Sequence, residues 1–135
     1  GNLGAMARTA DAAGVDALLV AVPNFDPWNP NAIRASTGAV FTLPIVEATQ
    51  ADIAALPHNK IAAVLGARRA HTDPDYTART AFMIGAEDPG LDEGWRQIAD
   101  EEVAIQMKGT SADSLNASTA AAVLLFEAVR QRTTV

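Results

Sequence analysis

Three short apolar runs limit what this chain can fold into more than any other feature. Residues 17–22 read Ala17-Leu18-Leu19-Val20-Ala21-Val22, residues 61–65 read Ile61-Ala62-Ala63-Val64-Leu65, and residues 80–84 read Thr80-Ala81-Phe82-Met83-Ile84. Each has strand length and lacks polar/apolar alternation, the pattern of a strand covered on both faces. Helix-like segments lie between and around them. Residues 5–13 are alanine-rich and stop at Gly14, a glycine C-terminal signal. Asn29-Pro30 supplies an N-cap and a first-turn proline for a helix through about Ser36. Thr49 caps another through Leu56, with Asp52 in its first turn. Residues 91–99 form a further helix. Residues 114–130 form the longest one, with Leu115, Ala122, Leu125, Phe126 and Val129 close to one face and Val123 and Leu124 widening it. Residues 41–46, interrupted by Pro44, and residues 103–105 are weaker strands. Such alternation predicts an α/β domain with a mostly parallel sheet flanked by helices. Ligands of such sheets bind beyond the carboxyl ends of the strands, where Gly85 and Gln106 stand.

Composition narrows the chemistry. The 135 residues suit one domain with its own core, and no second-domain boundary or internal repeat is visible. There is no cysteine, so disulfides, thiolate catalysis and cysteine-held metals are excluded, in keeping with a cytoplasmic location. No apolar run reaches the roughly 20 residues of a membrane span. The formal charge of −6 is uneven: residues 1–85 carry six basic and seven acidic side chains, residues 86–135 four and nine. The acid excess therefore lies in one part, and affinity for nucleic acid from this domain alone should be weak.

Three separated motifs remain. The first is Gly1-Asn2-Leu3-Gly4-Ala5-Met6-Ala7-Arg8, followed at a distance by Asn29-Pro30 and Arg34-Ala35-Ser36-Thr37-Gly38-Ala39. The second is Ile84-Gly85-Ala86-Glu87-Asp88-Pro89-Gly90-Leu91. The third is Ile105-Gln106-Met107-Lys108-Gly109 with Ser114-Leu115-Asn116. In order and spacing the set resembles the SpoU (TrmH-like) class of the SPOUT RNA methyltransferases. The tail Leu125-Phe126-Glu127-Ala128-Val129-Arg130-Gln131-Arg132 is most similar to the branch that methylates a 23S ribosomal RNA guanosine. Gln106 stands where the family usually has proline, Asn31 where it often has a basic residue, and Asp88-Pro89 where a glycine-containing pair is usual.

The resemblance implies a C-terminal trefoil knot, which general folding rules disfavour, a homodimer, and methyl transfer from S-adenosyl-L-methionine to a ribose 2′-hydroxyl of structured RNA, ribosomal or transfer. Gly85, Ile105, Met107, Gly109, Leu115 and Asn116 would bind the cofactor, without any metal. Arg8, with Asn2, Glu87, Ser114 and Asn116, would serve catalysis. A guanidinium has no accepting lone pair, so Arg8 is read as a clamp on phosphate and developing alkoxide, with the others orienting it and the ribose. The opening without methionine reads as a fragment: residues 1–135 would be the catalytic domain, lacking the family's first strand and any N-terminal RNA-binding domain.

Plainer readings stand beside these. Arg8 could be a surface arginine, Ser114 and Asn116 helix caps, and the glycines ordinary turns. His58 and His71 are expected at the surface, Asp100-Glu101-Glu102 in a solvated turn, and Trp28 and Trp95 in packing rather than base stacking. Arg68-Arg69 is either an RNA contact or a solvated pair. The rival functions are a non-catalytic RNA-binding or assembly module, and a small-molecule or dinucleotide-binding α/β domain, which the missing Gly-x-Gly-x-x-Gly disfavours.

Overall fold

A computed structural model of the chain describes residues 2–21, 42–85, 90–109 and 115–133. The chain divides into two compact units, Gly1–Ala55 and Leu56–Val135. The helix predicted after Asn29 and the residues Trp28, Asn31, Asp88 and Pro89 lie outside the described residues.

In the first unit, α1 spans Asn2–Ala13. It buries Gly4, Ala7 and Ala10 on one face, small residues that let a helix approach its neighbours closely. Gly14 ends it at φ 75, a conformation that favours glycine. The amide of Gly14 donates to Asp11 at 3.1 Å and that of Val15 to Ala10 at 3.2 Å. This crossed pair satisfies two of the helix's last carbonyls. Strand β1 (Leu18–Val20) pairs in parallel with β2 (Ile45–Glu47), Leu18 opposite Ile45. Leu19 is 37% exposed, so the expected burial on both faces does not hold there. β2 starts just after Pro44, whose carbonyl accepts the Leu18 amide at 2.9 Å. Proline ends the predicted strand because it has no amide to give a ladder. α2 (Gln50–Ala54) begins as expected at Thr49: the Thr49 hydroxyl accepts from the Asp52 amide and the Asp52 carboxylate from the Thr49 amide, a capping box.

The second unit holds β3 (Asn59–Ala63), β4 (Thr80–Met83), α3 (Glu93–Gln97), β5 (Glu101–Val103) and α4 (Ala117–Thr133). The sheet is parallel throughout, with β3 between β4 and β5. Its core joins Ile61, Val103, Tyr76, Leu124 and Ala128, with Phe82, Ile84 and Ile105 packed against them. The Tyr76 and Phe82 rings meet edge-on, centroids 4.9 Å apart. The buried side of α4 is Ala121, Leu124 and Ala128, with Glu127. That stripe is rotated from the expected one, and Phe126 is 45% exposed.

Two other expectations fail here for identifiable reasons. Glu101 and Glu102 are not in a solvated turn; they form β5, and their charges are met by Arg69 and Arg96. His58 and His71 are half-buried rather than exposed, each with a buried Nδ1 that has no partner among the described residues. At the other end of β3, Lys60 is buried and donates to the Leu56 and His58 carbonyls at 3.0 and 3.2 Å. Its amide donates to Asp100 at 2.7 Å, tying the turn before β5 to the start of β3.

Candidate functional site

The strand order fixes where a ligand can enter the second unit. From β3 the chain moves to β4 on one side, then crosses to β5 on the other, so the connections diverge between β3 and β5. The crevice beyond the carboxyl ends at such a reversal is the usual ligand site of an open parallel sheet. Here it is built by backbone. The Val64 amide donates to Val103 at 2.9 Å, the Ala104 amide to Arg69 at 2.9 Å, and the His71 amide to Ala104 at 3.0 Å. The segment after β3 is thus pinned to the end of β5. A depression of about 440 Å³ lies there, lined by residues 64–69 with Arg96 and Glu102.

The charges around this depression are mostly matched. Arg96 holds Glu102 in a two-pronged bond, 2.8 and 3.0 Å. These bonds lower the Glu102 carboxyl from its ordinary value and raise the Arg96 guanidinium. Arg69 pairs with Glu101. Arg68 and the largely exposed Leu65 have no such tie among the described residues.

On the other side of β3, β4 ends at Met83, and at Gly85, two residues on, a side chain has no room. A Cβ on Gly85 would sit 2.5 Å from both the Gly90 carbonyl carbon and the Leu91 amide nitrogen. Gly90 has φ 87, the left-handed conformation that suits glycine. The two glycines therefore let the backbone leave β4 and return against itself. The third motif follows β5. Ile105 packs on the core, Met107 and Leu115 are half-buried, and Gly109 is exposed with open space around it. Ile105, Met107 and Gly109 make no backbone hydrogen bond to other described residues. Asn116 is the N-cap of α4: its side-chain oxygen accepts from the Thr119 amide and the Ser118 hydroxyl, both at 2.9 Å.

Gly85 and Ile105 thus reach the same edge of one sheet. Arg8 belongs to the first unit, exposed on α1, with no ion pair or hydrogen bond among the described residues. Asn2 is the first residue of that helix. Glu87 and Ser114 fall outside the described residues. Among the described residues no cluster of three or more histidines or carboxylates could hold a metal, and no helix is long and apolar enough to cross a membrane.

A set of bonds that the sequence did not announce supports this edge from behind. Gln131 on α4 donates to the Pro74 carbonyl at 3.0 Å, and its side-chain oxygen accepts the Tyr76 amide at 2.7 Å. Arg132 donates to the carbonyls of Tyr76 and Ala78 at 2.8 and 2.9 Å. The Tyr76 hydroxyl, pushed up to about 12 by burial and then by Glu127, stays protonated and donates to the His71 carbonyl. The His71 amide in turn holds Ala104. The only sequence signal for this strap was the polar end of an otherwise apolar helix.

Known proteins share both the sequence and the fold. The SpoU rRNA methylase family description matches residues 1–126. The chain is 40% identical to the 23S rRNA (uridine(2479)-2′-O)-methyltransferase of Streptomyces viridochromogenes, covering 98% of this chain and 49% of that protein. It is 39% identical to the 23S rRNA (guanosine-2′-O-)-methyltransferase RlmB of Escherichia coli K12, covering 97% and 56%. The chain thus spans about half the length of these relatives. Its fold matches a crystal structure of an RNA 2′-O ribose methyltransferase with a TM-score of 0.91 at 39% identity, over 98% of this chain and 52% of the other. It matches the SpoU methyltransferase AviRb of Streptomyces viridochromogenes, solved with the cofactor AdoMet, with a TM-score of 0.90 at 35% identity, over 99% and 56%. On the family match and on identity sustained along almost its whole length, the chain belongs to the SpoU rRNA methylase family.

Proposed function

We propose that the protein is the catalytic domain of an S-adenosylmethionine-dependent methyltransferase that acts on a ribose 2′-hydroxyl of structured RNA, ribosomal or transfer. The observation that carries the reading is the glycine-dependent return of backbone at Gly85 and Gly90, at the same sheet edge as Ile105, Met107 and Gly109, whose backbone groups have no backbone partner among the described residues. Such a cradle fits an adenosine, which asks for amides and carbonyls at close range and no phosphate-binding loop. Relatives named as 23S rRNA 2′-O-methyltransferases, and a SpoU methyltransferase solved with AdoMet, support it.

S-adenosylmethionine, when bound, supplies the sulfonium methyl. The chain's own residues supply position, the larger share of catalysis for an in-line transfer. Gly85, Ile105, Met107, Gly109, Leu115 and Asn116 form the cofactor cradle. Arg8 clamps an RNA phosphate and stabilises charge developing on the ribose oxygen, and the proton leaves to a phosphate oxygen or water. Asn2, Glu87, Ser114 and Asn116 orient Arg8 and the ribose; for Asn116 this adds to its role as a cap.

A C-terminal trefoil knot and a homodimer belong to the same reading, the second supported by the exposed Phe126 on α4. Light scattering should give twice the chain mass at tens of micromolar. The function itself is tested by incubating the purified protein with tritiated-methyl S-adenosylmethionine and 23S ribosomal RNA in chelator. Label in alkali-resistant dinucleotides is expected, and label that requires added metal or appears only on bases contradicts the reading.

A further inference from the structure

We infer that Tyr76 is a positioning residue for the cofactor, setting the chain segments of the proposed cradle against one another from inside the core. The inference rests on the methyltransferase reading for its ligand, and on bonds and packing for its residue. Tyr76 has no exposed surface, so it cannot itself touch a ligand at the sheet edge. It sits in the core with Ile61 of β3, Val103 of β5, and Leu124 and Ala128 of α4.

Three limbs of the cradle lead back to this one residue. The Tyr76 ring meets Phe82 of β4 edge-on, and β4 runs on to Gly85. The hydroxyl donates to the His71 carbonyl, and the His71 amide donates to the Ala104 carbonyl at 3.0 Å. Ala104 is the residue before Ile105. The main chain of Tyr76 is gripped by the last turn of α4: its amide donates to Gln131 at 2.7 Å and its carbonyl accepts from Arg132 at 2.8 Å. A helix is a rod of fixed rise, so holding its last turn also fixes the first, which Asn116 caps. A phenylalanine would fill the same space in the core. The hydroxyl serves a different purpose, since it restrains the loop that restrains β5. A cradle of backbone groups depends on such restraint, because a displacement of about 0.5 Å takes a good hydrogen bond out of its range.

S-adenosylmethionine affinity is measured by calorimetry, and amide exchange by nuclear magnetic resonance, for the unchanged protein, Tyr76→Phe, Arg132→Gln and Lys60→Met. Tyr76→Phe keeps the ring and withdraws the donor from the His71 carbonyl. Its cofactor affinity should fall about fivefold, the scale of one hydrogen bond's net worth. The His71 and Ala104 amides should lose more protection than those of the β3/β4 ladder. Arg132→Gln, at an exposed position, leaves the core packing alone and should weaken cofactor binding about twofold, a fraction of the same bond's worth. Lys60→Met removes bonds to the Leu56 and His58 carbonyls at the amino end of β3, the far end of the same sheet. It should lower the melting temperature and leave cofactor affinity unchanged. Unchanged affinity in Tyr76→Phe overturns the inference, as does an equal loss in Lys60→Met, which would make affinity a readout of stability alone. If Tyr76→Phe does not fold, unchanged affinity in Arg132→Gln overturns it. An unchanged protein that binds no cofactor sinks the methyltransferase reading and the positioning role with it, whereas equal binding by the unchanged protein and Tyr76→Phe removes the positioning role alone.

Discussion

Helices α1 and α4 both carry or adjoin motif residues, and they treat their polar side chains in opposite ways. On α4 the polar groups at the ends hold the structure together. Asn116 caps the first turn, while Glu127, Gln131 and Arg132 bind one another or the loop that follows β3. On α1 the burial comes from Gly4, Ala7 and Ala10, and Arg8 projects from the exposed side without a partner among the described residues. An arginine with no partner among the described residues has its guanidinium free of them, whereas one already bonded to two carbonyls does not. Family motifs alone do not separate these cases. Bonding partners do.

The contrast is sharpest at Arg8. Arg8→Ala should lower turnover about a hundredfold or more, the scale of losing an oxyanion donor, with cofactor affinity unchanged. Stability should move by less than about 0.5 kcal/mol, as for a surface site without partners. Arg8→Lys should recover part of the rate, since lysine keeps the charge and loses the fork. Wild-type turnover in Arg8→Ala would return this residue to the solvated surface.

A smaller effect is expected where the cradle is tightest. Gly85→Ala puts a methyl against the backbone of Gly90 and Leu91, and backbone yields less readily than a side-chain tip. Denaturant melts should show a loss of about 1–3 kcal/mol, accompanied by weaker S-adenosylmethionine binding in calorimetry. Gly109→Ala, with open space around it, serves as the mild counterpart. Equal outcomes would remove the steric explanation of Gly85.

Asn116→Ala comes next. Loss of the cap should cost about 1 kcal/mol of stability, and Asn116→Asp should restore the melt. If the side chain also orients the ribose, turnover in Asn116→Asp stays low while stability recovers. Full recovery of both leaves Asn116 a cap only.

The last effect concerns acid. Hydrogen bonds from Arg130 and then Gln131, against burial, hold Glu127 at about 2 rather than its ordinary 4.5. A depressed folded value means that Glu127 stabilises the fold above about 4.5 and that this contribution fades as pH falls toward about 2. Glu127→Gln should flatten the acid limb of a stability-against-pH curve in that window. An unchanged limb would mean that α4 does not depend on this charge.

The sheet was legible because residues 61–65 and 80–84 are apolar without alternation, which leaves few options besides a buried parallel strand. The sequence pattern puts β5 at residues 103–105, two residues late, because Glu101 and Glu102 look like solvent-facing residues without Arg69 and Arg96 beside them. The phase of α4 differs from the expected one for a related reason. From residue 120 to residue 125 it is alanine, valine and leucine throughout, so the periodicity leaves the buried stripe undetermined, and the sheet selects Ala121, Leu124 and Ala128. The motif glycines were visible as glycines. That Gly85 is required by the backbone of Gly90 and Leu91, while Gly109 has space to spare, depends on chain segments meeting in space. The same holds for Arg68 and Arg69, equivalent in sequence and unlike in their partners.

Ribose methylation itself can be read from a map of 2′-O-methyl groups in ribosomal and transfer RNA. The map is made from cells with the gene, without it, and complemented with either the unchanged or the Arg8→Ala form. One ribose mark should disappear with the gene, return with the unchanged gene, and stay absent with Arg8→Ala. Identical maps in all strains, or a missing mark on a base instead of a ribose, would contradict the assignment.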